Sequence, residues 1–433
     1  MQKMTNIRNT GKKRVVIVGG GFAGLELARR TLKKNFQVVV IDKNNYHQFQ
    51  PLFYQVATAG LEPSSISFPL RKVFHRKRAD IHFRMAQMQL VHTDKQLIET
   101  DIGALSFDYL VIATGVSTNY FGMENIREHA VPMKSVSEAI YLRNNILKSY
   151  EQALNHEDEK EVQALMNVVV VGGGPTGVEL SGALAEMKKY ILPKDYPELD
   201  FSNMTISLLE AGDRLLAGFS EKSGKKAYRY LRELGVDVAL DTMVQDYDGV
   251  NIQTNQGKYT ARTMIWAAGV AGKRIKGLPE ELWDQQNRII TNQYNQVAGL
   301  DHVFAIGDIA LLKTEEYPHG HPQVAQVAIQ QAQQLSRNLF RLENNEPPQP
   351  FQYNYKGSLA TIGRKLAVAD LPYLHLGGFV AWILWLLVHL MAIVGIRNRL
   401  FIFLNWMWNY ITYDQSLRLL IRPKIFRYNN LTE

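Results

Sequence analysis

Two glycine-rich stretches combine residue types and spacing able to do chemistry. Gly19-Gly20-Gly21-Phe22-Ala23-Gly24 follows the apolar run Val15 to Val18 and opens onto Leu25-Glu26-Leu27-Ala28. Gly172-Gly173-Gly174-Pro175-Thr176-Gly177 follows Val168 to Val171 and opens onto Val178-Glu179-Leu180. In each, the first glycine permits a sharp turn, the second lets the backbone approach a pyrophosphate, and the third lets a helix pack on its strand. The helix N-terminus adds N–H donors and a positive dipole. Each stretch reads as strand, turn and helix cradling a dinucleotide, so two dinucleotides are expected.

Each cradle needs a carboxylate at the tip of its next strand to hold ribose hydroxyls. Asp42 ends Gln37-Val38-Val39-Val40-Ile41, close to the ~20-residue offset expected. Glu210 ends Thr205 to Leu209, displaced by an insertion that contains Pro193 and Pro197. Glu210 favours a free 2′-hydroxyl and hence NADH, while Arg214 nearby leaves NADPH open.

The elements that position these groups read as a doubly wound α/β chain. Phe107 to Ala113 is a buried strand ending in Thr114-Gly115, and Thr263 to Ala267 ends likewise in Ala268-Gly269, which supports an internal duplication. Val303 to Ile306 ends in Gly307-Asp308, where Asp308 can accept from a ribityl hydroxyl; there the chain returns to its first domain. Ile81 to Gln89 and Gln96 to Thr100 suggest a small antiparallel layer, with Met88 near an adenine edge. The aromatic segment Tyr46 to Ala57 presents Pro51 and Leu52 as a wall for a flat ring. Val136 to Leu154 has helical spacing, and a boundary is placed near Glu159. The helix after Pro322 sets Gln326 and Gln330 one turn apart, with Ala328 and Ala332 leaving room for a flat ligand that neutral amides can hydrogen-bond.

The last part differs in kind. Leu359 to Gly363 and Leu366 to Asp370 suggest a hairpin around Arg364 and Lys365. Phe379 to Ile396 is apolar apart from His389 and meets the lower length limit for a spanning helix. Trp406, Trp408, Tyr410 and Tyr413, followed by Arg418, Arg422, Lys424 and Arg427, are interfacial chemistry that equally suits a helix lying in the membrane surface.

Composition narrows the possibilities. The 433 residues suffice for two or three domains, and the net charge of +8, clustered near the C-terminus, favours an anionic membrane face over nucleic acid. The chain has no cysteine, so it builds no disulfide, thiolate metal site, iron–sulfur cluster or dithiol redox pair. No apolar h-region precedes the first strand, and a cytosolic face is expected.

These residues resemble the type II NADH dehydrogenases, single-subunit NADH:quinone oxidoreductases that pump no protons. The resemblance rests on both cradles, Phe49-Gln50-Pro51-Leu52-Phe53-Tyr54-Gln55, Ala113-Thr114-Gly115, Gly307-Asp308, Ala325-Gln326 and the C-terminal part with Gly363-Arg364. It implies two Rossmann-like domains of the glutathione-reductase type and a C-terminal helical membrane anchor. Residues 11–158 and 286–345 would bind FAD, 159–285 would bind NADH, and 346–433 would reach the membrane. It implies noncovalent FAD held by Gly19, Gly21, Phe22, Ala23, Gly24, Asp42, Lys43, Pro51, Leu52, Met88, Thr114, Gly115, Asp308 and Gln326. NADH would be held by Gly172, Gly174, Pro175, Thr176, Gly177, Glu179, Glu210, Ala268 and Gly269. Hydride would pass to the flavin N5 and two electrons on to a membrane quinone, with Glu179, Gln326 and Gln330 as catalytic residues. A homodimer on the cytoplasmic face, peripheral or with one C-terminal span, completes the expectation. The alternative is a flavin-dependent reductase that passes electrons to a ferredoxin or rubredoxin, which would need no anchor.

Overall fold

The computed structural model describes residues 4–32, 35–74, 80–412 and 417–420. Tyr413, Arg422, Lys424 and Arg427 lie outside the described residues. Two five-stranded parallel sheets dominate. The first runs Val303–Ala305, Tyr109–Ile112, Arg14–Val18, Gln37–Asp42, Ile81–Met85. The second runs Val131–Pro132, Thr263–Trp266, Val168–Val171, Ile206–Leu209, Asp237–Ala239. Their central strands are continuous apolar runs because both faces are buried: helices pack on one face of each sheet, and an antiparallel layer packs on the other, residues 88–106 on the first sheet and 244–260 on the second.

Ile81–Met85 is therefore the edge of the first parallel sheet and not part of the antiparallel layer expected from the sequence. That layer exists but consists of Met88–His92, Leu97–Thr100 and Gly103–Ser106. The return of Val303–Ala305 beside Tyr109–Ile112 matches the expected path. Val131–Pro132, upstream of residue 159, already pairs in the second sheet, and Ser117–Thr118 pairs with Val270–Ala271 where the chain crosses between sheets.

The helix Val136–Ala153 starts where its side chains cap it: Ser135 Oγ accepts from Glu138 N at 3.2 Å, and the Glu138 carboxylate accepts from Lys134 N at 2.6 Å. The C-terminal part opens with an antiparallel sheet of Ser358–Gly363, Leu366–Leu371 and Leu374–Gly377. Gly182 seats this sheet on the second cradle's helix, since a Cβ there would run into the Ile362 carbonyl.

The apolar run Phe379 to Ile396 does not form one helix. It forms Phe379–Ala392, turns through extended Ile393 and through Gly395 at φ +90°, and resumes as Ile396–Thr412. Among the described residues no helix is long and apolar enough to cross a membrane. Of the two expected seatings, the span has no helix to form it among the described residues: the apolar run meets the length limit, but extended Ile393 ends the first helix and left-handed Gly395 turns the chain before the next.

Candidate active site

The two cradles repeat one geometry. Gly19 and Gly172 take φ of +113° and +111°, a left-handed turn that only glycine adopts at no cost. A Cβ on Gly24 would strike the Gly19 carbonyl, and one on Gly177 the Gly172 carbonyl, so each helix packs directly on its turn. The N-terminal ends of both helices face outward. Gly21 and Gly174 are the N-caps, neither helix has a side-chain cap, and a Cβ at either glycine would meet nothing within 4 Å. Uncapped N–H donors beside open space fit the pyrophosphates of FAD and NADH.

The acids stand where the spacing put them. Asp42 Oδ2 accepts from Gly20 N at 2.6 Å, and Glu210 Oε2 from Gly173 N at 2.5 Å. Burial pushes the Asp42 carboxyl up, opposed by the N–H groups of Asn44 and Gly20 and by exposed Lys43. Arg214 is turned to the Ala217 carbonyl at 2.6 Å. Pro175 opens the helix Pro175–Tyr190, with Thr176 exposed in its first turn. Pro51 and Leu52 form a short 3-10 turn with Leu52 buried, and Thr114-Gly115 continues from the strand Tyr109–Ile112. Met88 begins the strand Met88–His92 and is partly buried. In the second half, Gly269 takes φ of +76° beside the Phe121 ring.

Asp308 is held among groups that sequence reasoning missed. Burial raises its pKa, while Lys134 and Arg288 lower it; Lys134 Nζ stands 4.0 Å from Asp308 Oδ2. Gln331, buried on the helix Ala325–Glu343, accepts from Gly307 N at 2.7 Å and fixes that turn. Lys134 follows a short edge strand and carried no local signal. Gln331 was hidden among the neighbouring glutamines.

A cavity of about 540 Å³ lies between the helix Pro175–Tyr190, the segment around Tyr54 and the C-terminal helices. Its walls are mostly apolar, including Ile383, Trp385, Leu386, Phe403 and Met407. Glu179, only 7% exposed, lines it, and its Oε1 accepts from Thr361 N and from the Trp385 indole N–H, both at 3.3 Å. Burial raises the Glu179 pKa to about 8 against those two donors, so the carboxyl holds a proton near neutral pH. The Tyr54 hydroxyl accepts from Gln55 Nε2 at 2.8 Å, and Gln55 Oε1 accepts from Trp406 Nε1 at 2.8 Å. Trp385 also stacks on His389, ring centroids 4.1 Å apart, and burial lowers the His389 pKa to about 4.

The three residues expected to act together differ in their place relative to this cavity. Glu179 lines the cavity; Gln326 and Gln330 do not. The Gln326 amide donates to the Gly357 carbonyl at 2.9 Å and accepts from Lys356 N at 3.2 Å. Gln330 exchanges both amide bonds with the Asn354 backbone at 2.9 Å. The pair thus fastens the segment leading into the C-terminal sheet onto its helix.

This two-sheet, two-cradle arrangement defines a class. Residues 13–332 match the model of the pyridine nucleotide-disulphide oxidoreductases, and residues 355–412 match that of the NDH2 C-terminal domain. The type II NADH:quinone oxidoreductase Ndh of Mycobacterium tuberculosis is 32% identical over 91% of this chain and 87% of its own length. The type II NADH:quinone oxidoreductase of Staphylococcus aureus is 28% identical over 81% of this chain and 88% of its own. A solved structure of NDH2 from Plasmodium falciparum with NADH superposes at a TM-score of 0.85 with 22% identity, covering 95% of this chain and all of that one, which shows the shared fold. The chain belongs to the type II NADH:quinone oxidoreductase family.

Proposed function

We infer that this chain oxidises NADH and reduces a quinone drawn from a membrane, with the quinone head group entering the cavity that ends on Glu179. The observation that carries the reading is the position of Glu179 on the second cradle's helix, buried in an apolar cavity whose outer wall consists of the C-terminal helices. When bound, FAD supplies the two-electron chemistry that links a hydride donor to a quinone.

The chain's own residues orient, shield and supply protons. The cradle turns and the acids Asp42 and Glu210 hold the two adenosine ends, so positioning supplies much of the rate. We assign residues 11–158 and 286–345 to FAD and 159–285 to NADH, the edge strand Val131–Pro132 joining the NADH sheet, with the site residues named from the sequence in those roles except Glu179, which serves the quinone. Glu179, protonated near neutral pH, delivers a proton to a quinone oxygen as charge develops there, and the apolar walls exclude water. Gln326 and Gln330 support the site by fixing residues 354–357.

The C-terminal helices expose Val380, Leu387, Met391, Leu400, Phe403 and Trp408, a face far more apolar than a water-facing helix carries. This supports peripheral seating on an anionic phospholipid surface at the cytoplasmic face, with Lys226 beside Gly377, the end of the strand that leads into the apolar helix. Co-sedimentation with vesicles tests the seating. The double variant Val380→Asp and Leu387→Asp should lower vesicle binding at least ~tenfold, given ~1.5–3 kcal/mol for each large apolar side chain buried. Unchanged binding overturns it. The assembly we propose is a homodimer; sedimentation in detergent giving the mass of one chain overturns that.

A further inference from the structure

We propose that Glu186 carries solvent protons into the cavity and passes them by way of the Tyr54 hydroxyl to Glu179. The inference rests on the reading of Glu179 as the proton donor to quinone and adds the residue that reloads it.

The reaction NADH + H⁺ + quinone gives NAD⁺ + quinol. Hydride brings two electrons and one proton's worth of hydrogen, so one further proton per turnover must come from solvent. Glu179 is only 7% exposed, and the cavity walls around it are mostly apolar. Once it has given its proton to a quinol oxygen, it is a buried carboxylate with only two long N–H bonds, an unfavourable state until reprotonated.

Glu186 is placed to do this. It lies seven residues further along the same helix, two turns and roughly 10 Å away on the same face. Both carboxyl groups line the one cavity, as does Tyr54. Glu179 is buried, Glu186 partly buried and Lys365 exposed, which forms a gradient from interior to surface. Glu186 accepts from the backbone N–H of Arg364, and the Arg364 guanidinium lies over the Tyr410 ring at the cavity's rim. Burial, and after it the nearby Glu179 and Glu186 carboxyl groups, raise the Tyr54 pKa well above its ordinary value against the Gln55 hydrogen bond, so the hydroxyl stays protonated. A hydroxyl that both donates and accepts can pass a proton without a net change of its own. Burial raises the Glu186 pKa while the Arg364 N–H and charge restrain it. In the step, Glu186 takes a proton from water at the rim and gives it to the relay, the Glu179 carboxylate gains it, and Glu186 is left ready to be reloaded.

The test compares Glu186→Gln, Glu186→Asp and Glu179→Gln in the full FAD-loaded protein. In Glu186→Gln, flavin reoxidation by a short-chain quinone should slow more than tenfold and flavin reduction by NADH should not change. Formate or azide, small acids able to enter the cavity, should restore the rate in proportion to their concentration. Glu186→Asp should keep a substantial part of it. Independently of turnover, the Glu179 carboxyl stretch, identified by its loss in Glu179→Gln, should shift more slowly on transfer to D₂O when Glu186 is glutamine. A slowed reoxidation that small acids do not restore, or an unchanged one, overturns the relay. If Glu179→Gln itself reoxidises at the normal rate, the donor reading fails, and a normal Glu186→Gln beside a slow Glu179→Gln removes the relay alone.

Discussion

The indole N–H of Trp385 donates to Glu179 Oε1 at 3.3 Å, which places a side chain of the outer helix on the acid of the second cradle. The two residues are 206 positions apart, and the contact joins the surface-facing helix Phe379–Ala392 to a buried carboxyl of the cavity. Seating of that helix and the protonation of Glu179 are therefore coupled.

Trp385→Phe tests this coupling. Phenylalanine keeps a ring to stack on His389 but removes the donor that favours the charged carboxylate. The Glu179 pKa should rise by up to about one unit, so that the alkaline limb of the quinone-reduction profile moves to higher pH. A pH–rate profile with an unmoved limb rejects the coupling.

Stability should follow the same carboxyl. Folded Glu179 binds its proton more tightly than the ordinary carboxylate at 4.5, with a pKa of about 8. The stabilisation this gives is complete below the unfolded value and is lost as pH rises through the folded one. At ~1.4 kcal/mol per unit, the loss is on the order of a few kcal/mol between those values. Wild-type Tm should fall more steeply than that of Glu179→Gln from pH 5 to pH 9. Parallel curves would show that the proton is not held this way.

The duplicated cradles separate two functions that a single variant each can distinguish. Gly24→Ala forces a Cβ into the Gly19 carbonyl and should cost flavin occupancy, seen as loss of the yellow absorption. Gly177→Ala does the same against the Gly172 carbonyl and should leave the colour but weaken NADH binding at least ~tenfold, the ~1.4 kcal/mol scale of one factor of ten. If both variants lose flavin alone, or both lose NADH alone, the assignment of one dinucleotide to each cradle is wrong.

Much of this was legible where chemistry is local. A strand, three glycines and an acid lie within one short stretch for Asp42, and the same pattern beyond an insertion marks Glu210, so both could be placed before any fold was known. Ile81–Met85 misled because an edge strand of a parallel sheet has the same half-buried alternation as a hairpin strand. The C-terminal run misled because hydropathy sums composition and does not register that Gly395 turns the backbone left-handed. Gln326 and Gln330 stood on one helical face as expected, but the partners that occupy their amides come from residues 354–357. The contacts of Glu179 with Thr361 and Trp385 join distant segments and leave no trace in periodicity or spacing.

The central claim is that this chain moves electrons from NADH to quinone, with Glu179 serving only the second half. Anaerobic stopped-flow on detergent-purified protein tests it directly, following the flavin band as NADH and then a short-chain quinone are added. The account predicts rapid bleaching by NADH and recovery on quinone in the wild type. In Glu179→Gln it predicts equally rapid bleaching with recovery slowed by ~10²-fold, the lower scale of general-acid catalysis. Bleaching without recovery in the wild type, or a normal recovery in Glu179→Gln, would contradict it.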